Sequence, residues 1–290
     1  MILIGILIAL LLERMLGDLP HMGEPWALRW LVLRVQALIP IPKYWSSAAA
    51  PLVLVIAGTG LTLWLDQYLD ALLLDLLFSV AALFLCLGPR DLSNDVARLL
   101  RAREQHDEET EANLLKRLLL GPGRRKSRRF LIGALFIQSH ERLFGVLLWF
   151  FLAGPAGAVA YRLASRMPAF LHDSQPGTRA EAMAQKLHAA LAWWTARATA
   201  GLYMLAGSAD TAAASWRTVN EAQQLDWRNR SWAVLSEVGS GALTSTSDEQ
   251  GTEVPAQLDD CLREVVALQG RALLILLAFF ALFTAGGWIT

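Results

Sequence analysis

The sequence predicts an all-α protein: a polytopic integral membrane helical bundle of five transmembrane helices, bounded by four and six, with amphipathic cytoplasmic helices. Three observations predict it, namely an apolar composition, apolar runs of membrane length and an uneven placement of charge. Of 290 residues, 54% are hydrophobic and 18% charged, and the mean hydropathy is +0.38; soluble domains carry about 25% charge. Disordered, collagen-like and coiled-coil classes are excluded. Lys and Arg total 26, as do Asp and Glu, so electrostatic bias lies in where the charges sit. Cys86 and Cys261 are too few for a disulfide framework or a paired-cysteine metal site.

A spanning helix needs about 20 mostly apolar residues, because each backbone amide in hydrocarbon must be satisfied within its own segment. Residues 45–65, 143–161 and 272–290 contain no charged side chain. Residues 1–16 are apolar as far as Glu13, and 71–87 are interrupted by Asp75. Five spans in one membrane domain of residues 1–290 follow. The first lacks the basic leader and small-x-small site of a cleaved signal peptide, so it reads as an anchor. Residues 188–207 are ambiguous: Leu191, Trp193, Trp194, Leu202, Tyr203 and Leu205 are apolar, with Arg197 between them. An Arg at a helix centre costs about 2.5–3.5 kcal/mol on insertion, which favours an amphipathic or bundle-buried helix over a sixth span. Trp26, Trp30 and Trp45 flank span starts and read as rings at headgroup depth.

Orientation follows from the basic residues. Between Gly88 and Phe130 nine Arg and two Lys face three Asp and four Glu, which places residues 88–130 in the cytoplasm. Asp66 and Asp70 mark the opposite side. Working outward, the N-terminus is outside, residues 17–44 are inside, and five spans leave the polar region 162–270 outside. Arg162, Arg166, Arg179 and Lys186 pull against that last placement. From Asp91, Leu92, Val96, Leu99 and Leu100 recur at helical spacing with charges opposite, an amphipathic helix. A second runs from Glu111 to the breaker Gly121-Pro122. Residues 236–257 read as a polar, Gly- and Ser-rich loop.

The basic run Gly121-Pro-Gly-Arg-Arg-Lys-Ser-Arg-Arg129 fails as a phosphate loop, because Arg125 stands where a second Gly is required and no strand precedes it. Topology, or contact with anionic lipid, accounts for it better. No motif supports nucleic-acid binding, and none implies a cofactor. His21, His106, His140, His172 and His188 show no pair at metal-ligand spacing, so no metal is expected. Ionisable residues at membrane depth are candidates for function. Ser139-His140-Glu141-Arg142 is one such group; equally, Ser139 can cap a helix start with Arg142 as its inner-leaflet charge. Arg90 and Asp91 can end one helix and cap the next, or join His140, Glu141 and Arg142 in a polar cluster at the cytoplasmic mouth. Arg donors suit a carboxylate or phosphate, so the candidate ligand residues are Arg90, Asp91, His140, Glu141, Arg142 and Arg197. No catalytic residue is assigned.

Gly88-Pro-Arg-Asp-Leu92 after a span, the stretch from His140-Glu-Arg-Leu-Phe-Gly to Tyr161-Arg162, and Ala192-Trp-Trp-Thr-Ala-Arg197 followed by Trp216 together resemble the AmpE family, within the CobD/CbiB superfamily. With Glu13-Arg-Met-Leu-Gly-Asp18 the resemblance covers nearly the whole chain, and residues 141–162 are its most specific part. It implies a multi-pass protein of the cell inner membrane that regulates β-lactamase induction, hence antibiotic resistance, through signalling linked to peptidoglycan recycling. The implied partners are the lipid bilayer, an anionic cell-wall-derived ligand and, functionally, a cell-wall amidase. The superfamily implies an alternative, a membrane enzyme forming an amide bond on a carboxylate substrate. The chain departs from those enzymes' pattern at Leu163-Ala-Ser-Arg166, and Thr195 stands where a proline is expected before Ala196-Arg197.

Overall fold

In the computed structural model the described residues are 2–16, 30, 32–35, 37, 45–69, 71–87, 92–119, 128–221, 227–243 and 255–286. Arg90, Asp91, Trp26 and most of the basic run 121–129 lie outside them. Helices are α1 (Ile2–Leu16), α2 (Ala49–Gln67), α3 (Leu72–Leu87), α4 (Leu92–Glu104), α5 (Glu108–Leu118), α6 (Arg128–Ser139), a π-turn (His140–Phe144), α7 (Gly145–Ser174), α8 (Arg179–Ala206), α9 (Ala209–Glu221), α10 (Trp227–Gly241) and α11 (Pro255–Ala285). No strand occurs among the described residues.

Ala49–Gln67, Leu72–Glu104, Arg128–Ser174 and Leu258–Ala285 are long and apolar enough to cross a membrane, the second running over residues 88–91. Their outer faces explain why lipid is required. Ile56, Leu63 and Trp64 on α2, Leu73 and Leu77 on α3, and Leu274, Phe279 and Leu282 on α11 are all exposed, and so many large apolar side chains along helices of this length are not left to water. The chain is an all-α, multi-pass membrane bundle. Of the four stretches, Arg128–Ser174 is the internal one, with 56% of its apolar part buried against 33%, 31% and 28% in the others.

The chain divides into two compact units, Met1–Pro89 with Gly145–Thr195 and Thr284–Thr290, and Arg90–Phe144 with Ala196–Phe283. In the first, α1 packs on α3, and α2 and α3 pack along α7. Trp45, Ala50 and Leu54 share a core with Met167, Leu171, Ala180 and Ala184. Trp45 is therefore a core residue, 7% exposed, and not the interfacial ring that its place before a span suggests. Trp30 is exposed, with the Arg34 guanidinium 5.5 Å from its ring centre.

Within α7, Ala153 (φ −134°, ψ 21°) and Gly154 (φ 60°, ψ −155°) leave helical geometry ahead of Pro155. They turn the chain back on itself. A Cβ on Gly145 would lie 2.5 Å from the Tyr161 ring, and one on Gly157 would strike the Trp149 carbonyl. Residues 145 and 161 would be about 24 Å apart in a straight helix at 1.5 Å per residue, so the two legs run antiparallel. The apolar run 143–161, expected as one helix, is bent into a hairpin.

The hairpin also sets which helix ends lie level within this unit. The Ala180 amide donates to the Ser46 carbonyl at 3.2 Å, and Arg162 donates to the Leu87 carbonyl at 3.2 Å. The returning leg and the start of α8 thus lie level with the start of α2 and the end of α3. These four ends share one side.

In the second unit, α10 packs against α6 and α9, and α4 and α5 pack against each other and against α6. Leu92, Val96 and Leu99 are the buried face of α4, as their spacing predicts. Asp107 caps α5 by accepting from the Thr110 amide at 3.0 Å, and the Thr110 hydroxyl first, then its amide, hold the carboxyl below its usual range. Gln138 Nε2 donates to the Leu118 carbonyl at 2.6 Å, tying α6 to the end of α5.

Candidate functional site

The most polar buried place among the described residues of the second unit is the π-turn. A π-turn inserts one residue into an α-helix and frequently occurs at functional sites. Here it carries His140-Glu141-Arg142 within an uninterrupted helical run. Ser139 ends α6 and is buried. It therefore caps no helix start, and the interfacial reading of this segment gives way.

The three polar residues of the turn each meet a different helix. His140, 1% exposed, places Nδ1 3.0 Å from the Thr199 hydroxyl of α8. Glu141 Oε1 accepts from Trp232 Nε1 of α10 at 3.1 Å. Arg142 Nη1 lies 3.7 Å from Asp95 Oδ2 of α4. Below the turn Tyr203, fully buried, stacks tilted on Phe136 at 4.9 Å and edge-on to Phe144 at 5.7 Å. This aromatic floor fixes the turn against α8. Arg197 stands two residues before Thr199 on α8, and burial first, then the nearby positive charge of Arg230, lower its pKa.

The comparisons with known proteins bear on this geometry. A family model described as "Regulatory signalling modulator protein AmpE" matches residues 1–289. The chain belongs to the AmpE family. It is also similar to "Cobalamin biosynthesis protein CobD" of Chromobacterium violaceum, 27% identical over 256 residues, covering 81% of this chain and 78% of that protein. No solved structure matches it.

As an AmpE-family member the chain is a regulatory, multi-pass membrane protein. Its structure holds three of the six residues singled out from sequence, His140, Glu141 and Arg142, on one turn, with Arg197 on α8; Arg90 and Asp91 lie outside the described residues. Sequence reasoning missed Asp95, Thr199 and Trp232, the partners of the turn. Asp95 had a signal, an acid among the apolar positions of an amphipathic helix. Trp232 had none, since it follows the π-turn by some ninety positions in a stretch read as polar. Chemically the cluster offers three guanidinium groups against two carboxylates, one of them shared with Arg142 and the other with an indole N–H. No group of three or more His, Cys, Asp or Glu side chains suited to a metal occurs among the described residues.

Proposed function

We propose that this AmpE-family protein resides in the cell inner membrane and modulates β-lactamase induction in step with cell-wall recycling. In this reading the cluster at the π-turn is its cytoplasmic mouth and binds an anionic cell-wall-derived ligand. One observation supports it: the segment that most resembles the family, from Glu141 onward, begins at a π-turn whose polar side chains meet three other helices. A functional link to a cell-wall amidase completes the proposal. Deleting the gene and measuring β-lactamase activity after a cephalosporin should give an altered induction curve; an unchanged curve would overturn the regulatory role.

The similarity to CobD favours a second reading, a membrane enzyme that forms an amide on a carboxylate substrate, with Arg90, Asp91, Glu141 and Arg197 at the anionic end. Glu141→Gln and Arg90→Ala in a strain lacking its own CobD discriminate. An enzyme should restore corrinoid-dependent growth as the wild type and fail in both variants. Failure of the wild type to complement removes this reading.

A further inference from the structure

We propose that the first unit carries a lipid site, a cavity at the start of α2 that seats the head-proximal part of a phospholipid acyl chain, with a headgroup N–H or O–H donating to Gln175 Oε1. The proposal does not rest on the anionic-ligand reading. The cavity measures about 140 Å³ and lies between residues that precede α2, the first turns of α2 and the end of α7. Val32, Ala50, Leu54 and Phe170 are among its apolar walls; Ser174 and Gln175 supply polar side chains, beside the Trp45 indole. Ser174 is exposed, so the polar end is the mouth.

Water does not suit this space. A buried water typically makes two to four hydrogen bonds. The Ser174 hydroxyl already donates to the Phe170 carbonyl at 2.8 Å. The Gln175 carboxamide remains, its Oε1 buried and without a hydrogen-bond partner among the described residues. An engineered apolar cavity of roughly 150 Å³ stays dry and takes benzene, so this one has room for about six carbons of hydrocarbon. The occupant it fits is apolar and carries a donor beside its chain.

The bilayer supplies such a molecule. With 19 residues, α2 is about 28 Å long at 1.5 Å per residue, a match to a hydrocarbon core of about 30 Å. Ala50, Pro51 and Leu54 belong to its first turns, so the cavity lies at the edge of that core, where acyl chains join their heads. Phosphodiester and ester oxygens of a phospholipid only accept hydrogen bonds. An ethanolamine ammonium or a glycerol hydroxyl donates, and choline has no donor. The cavity thus takes the chain, and the carboxamide oxygen selects the head.

The test uses the full chain in detergent, with native mass spectrometry reading which lipid stays bound from an equimolar mixture with matched chains. Phosphatidylethanolamine or phosphatidylglycerol should be retained roughly fivefold over phosphatidylcholine, the worth of one hydrogen bond; whichever is retained more identifies the donor as ammonium or hydroxyl. Gln175→Leu should remove this preference and leave the chain bound. A phosphatidylethanolamine with a diazirine near one ester should label Leu54 or Phe170 on irradiation, and Ala50→Phe, which fills the cavity, should abolish that label. Where Ala50→Phe fails to fold, Gln175→Leu and the label on the wild type carry the test. Labelling confined to outward residues such as Ile56 and Leu73, both exposed, shows surrounding bilayer lipid only and overturns the site. Equal retention of the three lipids by the wild type, or an unchanged preference in Gln175→Leu, overturns the headgroup contact.

Discussion

Gly145 and Gly154 make the hairpin possible for different reasons, and the difference is measurable. At Gly145 the obstacle is space, since a Cβ would meet the Tyr161 ring at 2.5 Å and Tyr161 is fully buried. At Gly154 there is open space but φ is 60° with ψ −155°, a backbone region essentially confined to glycine. Gly145→Ala should destabilise by about 1–3 kcal/mol through overpacking, and Gly154→Ala by about 1–3 kcal/mol through backbone strain. Reversible unfolding in mild detergent measures both. Truncating the ring in a Gly145→Ala, Tyr161→Leu double variant should recover part of the first loss and, paired with Gly154→Ala, none of the second. Such effects were half legible in the sequence. Gly154-Pro155 is a breaker pair, yet its surroundings carry no charge, and length and hydropathy alone read the run as one straight helix.

Among the elements, the π-turn and the α7–α8 corner each hold a specific geometry. One extra residue in the turn rotates everything beyond it by about 100°, the angle per residue of an α-helix. Deleting Leu143 should restore α-helical register, leave the helical circular dichroism unchanged, and lower the melting temperature by dislodging the contacts of His140, Glu141 and Arg142; an unchanged melting temperature would show that the turn does not place them. No sequence signal marks a π-turn, because it is set by packing on α4, α8 and α10 rather than by local propensity. The corner is more local. Glu181 accepts from His172 at 2.8 Å and from the Gly177 amide at 2.7 Å, while the Thr178 hydroxyl caps the Glu181 amide at 3.3 Å. The His172 contact first, then the Gly177 amide, holds the Glu181 carboxyl below its usual range. A carboxyl lowered in the folded state contributes stability that is complete above its unfolded value, about 4.3, and is lost as pH falls through the folded one. Hydrogen exchange at Gly177, corrected for the intrinsic rate, should stay protected at neutral pH and lose protection in that acidic window. In Glu181→Gln the protection should be weaker and independent of pH there.

At the scale of the whole molecule the hairpin decides topology. The apolar runs, the amphipathic face of α4 and the all-α class were legible from composition and period, because lipid and helix geometry act on every residue alike. The side of the chain beyond residue 162 was not, because it depends on one turn whose dihedrals have no hydropathic signature. A chain that reverses at Ala153–Gly154 leaves the bilayer on the face from which it entered. With the basic loop 88–130 expected on the cytoplasmic side, the same rule of Lys and Arg then predicts that side for Arg162, Arg166, Arg179 and Lys186 as well. From the Arg162 level to Gly154 is eight residues, about 12 Å at 1.5 Å each, less than half of a hydrocarbon core of about 30 Å. The hairpin should accordingly enter without crossing. Reporter fusions at Thr110 and Thr178 should both register as cytoplasmic, and a fusion after Gln67, at the α2–α3 turn, as external. A cysteine at Ala153 should resist an impermeant thiol reagent added from outside intact cells, whereas one at Tyr68 should react. An external Thr178 beside a cytoplasmic Thr110 would require a crossing between them and would refute the hairpin.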